Sequence, residues 1–324
     1  MNKKTVLILE ANDYSPKAIR LYHRLGTVYI FSGLSRAQRK QVLLRTNILV
    51  VRLGYKVDAF WFRKMPELEL VVTNTTGLNH IDMSEAKRRG IDVISLRGRT
   101  GFLRHITSTA EEAFGLILAL VRKIPWAFED VKQSKWNRDA WRGRQLKSLT
   151  LGILGFGRLG RIVARYARCF GMMVIATDPN FSKEQMRRQG ARKVTMQKLF
   201  KQSDVVSVHV SLDRMTKNLV QRTHFRSMKP TAYFINTARG EIIDEEALLE
   251  VLKNKWIAGA ALDVMTNETS DGKHLRRNPL VTYAQQHANL LIVPHLGGAT
   301  IDAMRLTEEY VAQQVLKNFH YGKR

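Results

Sequence analysis

Short apolar runs alternate with longer polar stretches over the first hundred residues. The runs fall at positions 6–9, 27–31, 48–51, 70–73 and 92–95. The stretches between the runs are polar and compatible with helices, and strands that alternate with helices indicate a parallel sheet with helices on its faces. This part of the chain is therefore predicted to form an α/β unit of its own.

The alternation restarts after a helical pattern at 107–122 and a polar stretch at 135–144. We expect the polar stretch to be an exposed arm whose Trp136 and Trp141 pack against a partner surface. Further strands are predicted at 150–154, 172–177, 205–210, 232–236, 258–263 and 289–293, with a helix at 159–170. The chain is therefore expected to contain a second α/β unit.

Length and composition indicate the number of domains and the cellular compartment. The chain has 324 residues, too many for one compact core of ordinary size, so two domains are expected. Its single cysteine, Cys169, excludes an intramolecular disulfide and fits a reducing compartment. Cys169 is predicted to be a small buried side chain rather than a reactive thiol. The apolar run at 6–9 is too short for a signal peptide, and the one at 113–121 is too short to span a bilayer. We expect a cytoplasmic protein.

The net charge of +25 arises from 53 Lys and Arg residues against 28 Asp and Glu residues. Such an excess is compatible with nucleic acid, an anionic surface or anionic metabolites as partners. The basic residues are spread along the chain, however, and no recognition element for nucleic acid accompanies them. A generally basic surface is the favoured interpretation, and we predict no nucleic-acid partner, membrane contact or bound metal.

A glycine pattern follows the strand at 150–154 and opens the next helix. In the pattern Gly155-x-Gly157-x-x-Gly160, the first glycine allows a tight turn, the second lets a pyrophosphate approach the backbone, and the third permits close helix–strand packing. The N-terminus of the helix offers N–H groups to phosphate oxygens. This context predicts a dinucleotide site.

Asp178 ends the following strand at the spacing expected for a ribose-binding carboxylate. Such a carboxylate accepts hydrogen bonds from the ribose hydroxyls of NAD and repels the additional phosphate of NADP. The alternative is an acid that starts a helix before Pro179. The spacing favours NAD, although Arg158 can contact phosphate and would weaken that preference.

Three later segments supply groups for reduction of a keto acid. Arg239 follows one strand, Glu268 lies beyond the next, and His295 follows the last. A cation can hold a carboxylate and polarise a carbonyl, an imidazole can donate a proton, and a carboxylate can orient that imidazole. Each residue alone has a simpler interpretation as a surface charge or a structural histidine. All three are predicted at the sheet edge that carries the glycine turn, and this favours catalysis.

These segments together resemble the D-isomer-specific 2-hydroxyacid dehydrogenases, a family that includes phosphoglycerate, glycerate and formate dehydrogenases. The resemblance covers nearly the whole chain. It implies two Rossmann-like, doubly wound parallel-sheet α/β domains, with an NAD-binding domain at 104–298 inserted into a discontinuous substrate domain made of 1–103 and 299–324. It also implies a substrate cleft between the domains, a short form without a regulatory domain, and a homodimer.

The resemblance assigns roles residue by residue. Arg239 is similar to the substrate-binding arginine, His295 to the acid/base and Glu268 to its partner, while Arg52, Thr76 and Gly77 match substrate-binding positions. The implied cofactor is NAD, and the positions similar to its contacts are Thr76, Gly155, Gly157, Arg158, Leu159, Gly160, Asp178, Val210, Thr216, Thr237, Ala238, Asp263 and Gly298.

The chain departs from the family pattern in several places, among them Asn79-His80, Met265 and Thr269. The stretch at 97–105 is longer than the usual hinge and more basic. It is either an exposed loop or a rim for an anionic substrate such as 3-phosphoglycerate. None of these changes affects the three catalytic candidates.

A second class of function uses the same fold. Corepressor relatives of this family sense NAD(H) and can keep the catalytic residues, so these residues do not exclude a regulatory protein. We expect an enzyme acting on a small 2-hydroxy or 2-keto acid, because the chain has no long tail for docking a partner.

Overall fold

The computed structural model describes residues 3–269 and 271–321. The chain divides after His105 and again after Ala299 into two compact units. The first unit is thus discontinuous, and the second is one continuous segment. The predicted fold class of two parallel-sheet α/β domains is confirmed.

The first unit is built on a five-stranded parallel sheet among the residues described. Its strands are β1 (Lys4–Ile8), β2 (Gly26–Ile30), β3 (Ile48–Val51), β4 (Leu70–Thr73) and β5 (Asp92–Ile94), in the order β2-β1-β3-β4-β5. The helices are α1 (Pro16–His23), α2 (Arg36–Arg45), α3 (Ala59–Lys64), α4 (Met83–Arg88) and α5 (Thr100–Leu103). Every residue of β3 and β4 is buried, which explains why both strands are apolar except for Thr73 at the end of β4.

The second unit contains a seven-stranded parallel sheet within the described ranges. The helices are α6 (Ser108–Val121), α7 (Ile124–Lys132), α8 (Arg158–Cys169), α9 (Lys183–Arg188), α10 (Met196–Gln202), α11 (Arg222–Arg226), α12 (Glu245–Lys253) and α13 (Pro279–Ala284). The strands are β6 (Thr150–Leu154), β7 (Met173–Thr177), β8 (Arg192–Lys193), β9 (Val205–Val208), β10 (Tyr233–Asn236), β11 (Gly259–Leu262) and β12 (Leu290–Ile292). The chain then returns to the first unit in α14 (Ile301–Tyr321).

The order of strands in the second sheet is β12-β11-β10-β9-β6-β7-β8. The chain proceeds from β6 toward β7 and β8 on one side, and then continues with β9 on the other side of β6. Parallel strands place all their carboxyl ends at one edge, and ligands of such sheets bind where the strand order reverses. The reversal between β6 and β9 therefore marks the expected ligand site.

Two details differ from the sequence predictions. Cys169 is exposed rather than buried, because the buried stripe of α8 runs through Gly160, Val163, Ala164 and Ala167 and leaves the last residue outside it. The edge strand β8 was not predicted, since its two residues, Arg192 and Lys193, carry no apolar signal.

No helix in the described part of the chain is long and apolar enough to cross a membrane. Within the same residues, no group of three or more His, Cys, Asp or Glu side chains is arranged to hold a metal ion.

Candidate active site

The turn between β6 and α8 brings the three glycines together. Gly155 has a φ of +95°, and a Cβ there would lie 2.7 Å from the amide nitrogen of Val210. A Cβ on Gly160 would lie 2.2 Å from the carbonyl oxygen of Gly155. Gly157, in contrast, has no described atom within 4 Å of its Cβ position, and no side chain caps α8 there. The turn therefore closes on itself while leaving the start of α8 open to an anion.

Asp178 lies at the same turn, directly after β7. Its Oδ2 accepts a hydrogen bond from the N–H of Phe156, and its Oδ1 accepts one from the N–H of Asn180, each at 2.8 Å. These bonds hold the carboxylate beside the glycines. Each oxygen keeps acceptor capacity for a ribose hydroxyl.

Three further residues were expected to contact the cofactor, and each has contacts within the second unit. Arg158 Nη1 donates to the carbonyl of Ile106 at 2.5 Å, and burial lowers the pKa of Arg158. The hydroxyl of Thr216 donates to the carbonyl of Ser211 at 2.6 Å. Leu159 is half-buried and packs against the core beneath α8.

Thr237 follows β10 and is 5% exposed, and its hydroxyl has no hydrogen-bond partner among the described residues. Buried polar groups are rarely left unpaired in proteins. A partnerless hydroxyl at this edge therefore fits a polar group of a ligand. Together with the open start of α8 and the Asp178 carboxylate, it makes the edge compatible with a dinucleotide.

Asn236 organises the segment that carries Arg239. Its buried side chain accepts from the N–H of Ala238 at 3.0 Å and donates to the carbonyl of Arg239 at 2.9 Å. Arg239 Nη1 in turn donates to the carbonyl of Ala238 at 2.6 Å. Burial lowers the pKa of Arg239, while nearby carboxylates, Glu268 foremost, act in the opposite direction. The guanidinium is thus held in a desolvated, negatively charged surrounding.

Glu268 and His295 form the pair expected from the sequence. Glu268 Oε2 lies 2.6 Å from His295 Nδ1, and Oε1 accepts from the N–H of Met265 at 2.7 Å. Burial acts to raise the pKa of Glu268, but the hydrogen bond and charge of His295 together with the Met265 N–H outweigh it, so the pKa is lowered overall. Glu268 is therefore ionised near neutral pH and accepts the proton on Nδ1.

Asp263 holds the backbone on which His295 lies. Its carboxylate accepts hydrogen bonds from the N–H groups of Leu296 and Gly297, and its own carbonyl accepts the N–H of His295 at 2.9 Å. Burial raises the pKa of Asp263 to about 6, against the effect of the two N–H donors. Gly298 follows with no described atom within 4 Å of its Cβ position. Besides the predicted cofactor contact, Asp263 thus orders the histidine loop.

Glu245, which the sequence did not suggest, holds the loop that carries Glu268. The Glu245 carboxylate at the start of α12 accepts from both the N–H and the hydroxyl of Thr266, at 2.7 and 2.8 Å. A Cβ on Gly240 would lie 2.1 Å from the carbonyl carbon of Met265, so the two loops touch backbone to backbone. Glu245 is therefore a positioning residue for the Glu268 loop.

We expect Glu245→Gln to lower kcat about tenfold and leave the KM for NADH unchanged, because a looser Glu268 loop misplaces the imidazole without altering the glycine turn. Steady-state kinetics with both KM values resolved would measure this. Glu246→Gln is the matched control, since Glu246 is the exposed neighbour on the same helix turn. Equal effects of the two substitutions would contradict the assignment.

The first unit carries the remaining candidates after β3 and β4. Thr76 is exposed, and the Thr75 hydroxyl donates to the carbonyl of Gly77 at 2.7 Å, closing the turn after β4. Arg52 follows β3, and its guanidinium is ion-paired with Glu308 on α14. The Arg52 side chain is only 14% exposed.

Comparison with known proteins decides the family. The sequence profile of the D-isomer specific 2-hydroxyacid dehydrogenases, for their NAD binding domain, matches residues 114–297. The chain is also 33% identical over 313 residues, 96% of its length, to a D-3-phosphoglycerate dehydrogenase of Methanocaldococcus jannaschii. The chain belongs to this family. The family predicted from the sequence is thereby confirmed, and with it NAD as the cofactor of the matched domain.

This family member spans about half the length of the curated phosphoglycerate dehydrogenases it matches, 57% in the case of M. jannaschii. A hydroxypyruvate reductase of Thermotoga maritima is 34% identical over 88% of both chains. The solved D-lactate dehydrogenase of Aquifex aeolicus, complexed with NAD and lactic acid, has a TM-score of 0.81 at 26% identity and covers 98% of this chain and 96% of its own. These relatives are named for different acids.

Proposed function

We propose that this chain is an NAD-dependent oxidoreductase that interconverts a small D-2-hydroxy acid and its 2-keto acid. The observation that carries the proposal is the 2.6 Å contact between His295 Nδ1 and Glu268 Oε2, at the sheet edge that also holds Arg239. Family membership and the Asp178 carboxylate support NAD over NADP. We assign NAD binding to the second unit, and we propose Thr76 and Gly77 of the first unit as additional substrate-binding residues.

When bound, the reduced nicotinamide supplies a hydride to C2 of the keto acid. Because Glu268 accepts the Nδ1 proton, the proton available for transfer is on Nε2 of His295. This nitrogen donates to the substrate oxygen in reduction and accepts the proton in oxidation. The Arg239 guanidinium presents a fork of donors to the substrate carboxylate and stabilises the charge that develops on the oxygen.

A panel of 2-keto acids incubated with NADH tests the proposal directly. Falling NADH absorbance with at least one acid, and none with the His295→Ala variant, is the expected result. Tight NADH binding without turnover of any acid would instead favour an NAD(H)-sensing regulatory protein on the same fold.

We also propose that the protein is a homodimer through α7 and the segment that follows it. Ile124, Phe128 and Val131 are spaced along one face of α7 and are 54%, 61% and 51% exposed, and Trp136 is 89% exposed. Trp141, in contrast, donates its indole N–H to Asp130 at 2.7 Å and is half-buried within its own unit. An apolar stripe of this kind is typical of a surface covered by a second copy.

We expect Trp136→Ser to weaken the dimer at least about tenfold, because exposed tryptophans at interfaces commonly contribute much of the binding energy. Sedimentation velocity over a concentration series would measure the change. Leu44→Ser, at a 48% exposed apolar residue of the first unit, is the control and is expected to leave the dimer intact. A wild-type protein that stays monomeric at all concentrations would refute the interface.

A further inference from the structure

We infer that Arg97, rather than Arg52, recognises a second anionic group on the substrate, a carboxylate or phosphate carried beyond C2. The inference rests on the proposed function, because it concerns the substrate of the same reaction. Arg52 and Arg97 both follow strands at the carboxyl edge of the first sheet, and their surroundings differ.

Arg52 is already held by residues of its own unit through both terminal nitrogens, although its buried Nε has no hydrogen-bond partner among the described residues. Its guanidinium is ion-paired with Glu308, donates to the carbonyl of Asn12 at 2.9 Å and lies 5.0 Å from the ring centroid of Tyr14. The Glu308 side chain is fully buried and also accepts the N–H of Ser15 at 2.7 Å. A substrate anion that drew Arg52 away would leave a buried carboxylate without its counter-ion, which is strongly unfavourable.

Arg97 is placed differently, in the segment after β5. The N–H of Leu96 donates to the carbonyl of Thr75 at 3.0 Å, so this segment lies against the turn that carries Thr76 and Gly77. Arg97 is exposed, and no ion pair joins it to any other residue of the described ranges. Its charge is therefore available to a ligand at that turn.

Arg99, two positions further along the stretch, has different neighbours. Gly98 has a φ of +77°, a conformation that suits glycine, and Arg99 beyond it lines a groove with Asp92 and Lys317. Phe102 stacks on Tyr310 of α14, with ring centroids 3.9 Å apart, and anchors the stretch. From the sequence, this stretch was either an exposed loop or a rim for an anionic substrate. The structure places Arg97 next to the turn that carries Thr76 and Gly77, and it places Arg99 in the groove beside Asp92 and Lys317.

The chemistry of the substrate follows from this placement. Arg239 is assigned to the carboxylate next to the reacting carbon. A second guanidinium beside the substrate turn is complementary to a second negative group, which it can bind through two parallel N–H donors.

The experiment compares three keto acids with NADH as reductant: glyoxylate without a second charge, 2-ketoglutarate with a carboxylate and 3-phosphohydroxypyruvate with a phosphate. We expect the wild type to prefer one of the two charged acids over glyoxylate. Arg97→Gln should raise the KM for that acid about tenfold and change the KM for glyoxylate less than about twofold, because only the charged acid loses a charge-assisted contact. The preferred acid identifies the anion.

Arg99→Gln is the matched control, two positions along the same stretch, and is expected to change neither KM. Equal effects of Arg97→Gln and Arg99→Gln, or a wild-type preference for glyoxylate, would overturn the inference while the proposed function stands. If no acid is turned over, the proposed function fails on its own. Calorimetric titration of the NADH-loaded protein with 3-phosphoglycerate, 2-hydroxyglutarate and glycolate then decides the inference: tighter binding of a charged acid that Arg97→Gln abolishes supports it, and any other pattern overturns it.

Discussion

His295→Ala is expected to lower kcat by about 10³-fold, within the range contributed by a positioned acid/base. The imidazole is the group that Glu268 orients, and alanine removes the proton donor together with the charge partner of Glu268. Stopped-flow or steady-state measurement of NADH oxidation, with NADH affinity determined separately, would show a loss confined to the chemical step.

His23→Ala is a suitable control, because His23 is exposed at the end of α1 in the first unit. The kcat of Glu268→Gln should lie between those of His295→Ala and His23→Ala. An amide oxygen can still accept from the ring, but it lacks the negative charge of the carboxylate. A His295→Ala variant that keeps a rate within a few-fold of the wild type would remove the imidazole from the mechanism.

Arg239→Gln is expected to reduce kcat/KM for the keto acid by about 10²–10³-fold, with little change in NADH affinity. The guanidinium is largely buried beside three carboxylates, so its loss leaves the substrate carboxylate without a counter-ion in a desolvated site. The side-chain contacts of Asp178 lie elsewhere on the edge and remain intact.

Arg239→Lys separates charge from geometry, because an ammonium restores the charge but not the two parallel donors. We expect it to recover only part of the loss. Arg222→Gln, at an exposed arginine paired with Glu250 in the same unit, should behave as the wild type. Full activity in Arg239→Lys would show that charge alone suffices and that the forked contact is dispensable.

The fold class and the order of strands and helices could be predicted from the sequence. The run at 48–51 is apolar throughout and the one at 150–154 is mostly so, because their strands are buried on both faces of the sheet. The glycine turn was recognisable because it lies between a predicted strand and a predicted helix. The pairing of Glu268 with His295 followed from family resemblance, and the structure brings the two side chains together.

What could not be predicted are contacts made between distant segments. Glu245 looks like an ordinary acid in a first helical turn, and only the packing of Gly240 against Met265 brings it to Thr266. Arg52 was matched to an anion-binding position, but its partner Glu308 is 256 residues away on the last helix. Local periodicity carries no information about such pairs.

His295 has a φ of +54°, in the left-handed region that side chains other than glycine rarely adopt. Holding a non-glycine residue there costs about 1 kcal/mol, which the bonds to Asp263 and Glu268 must offset. Glycine at this position would fit the backbone better and abolish the proton transfer. Because glycine relieves the backbone but loses the Glu268 contact, a library selected for heat tolerance alone should tolerate inactive glycine variants at position 295, and their disappearance under selection for activity would report the need for turnover.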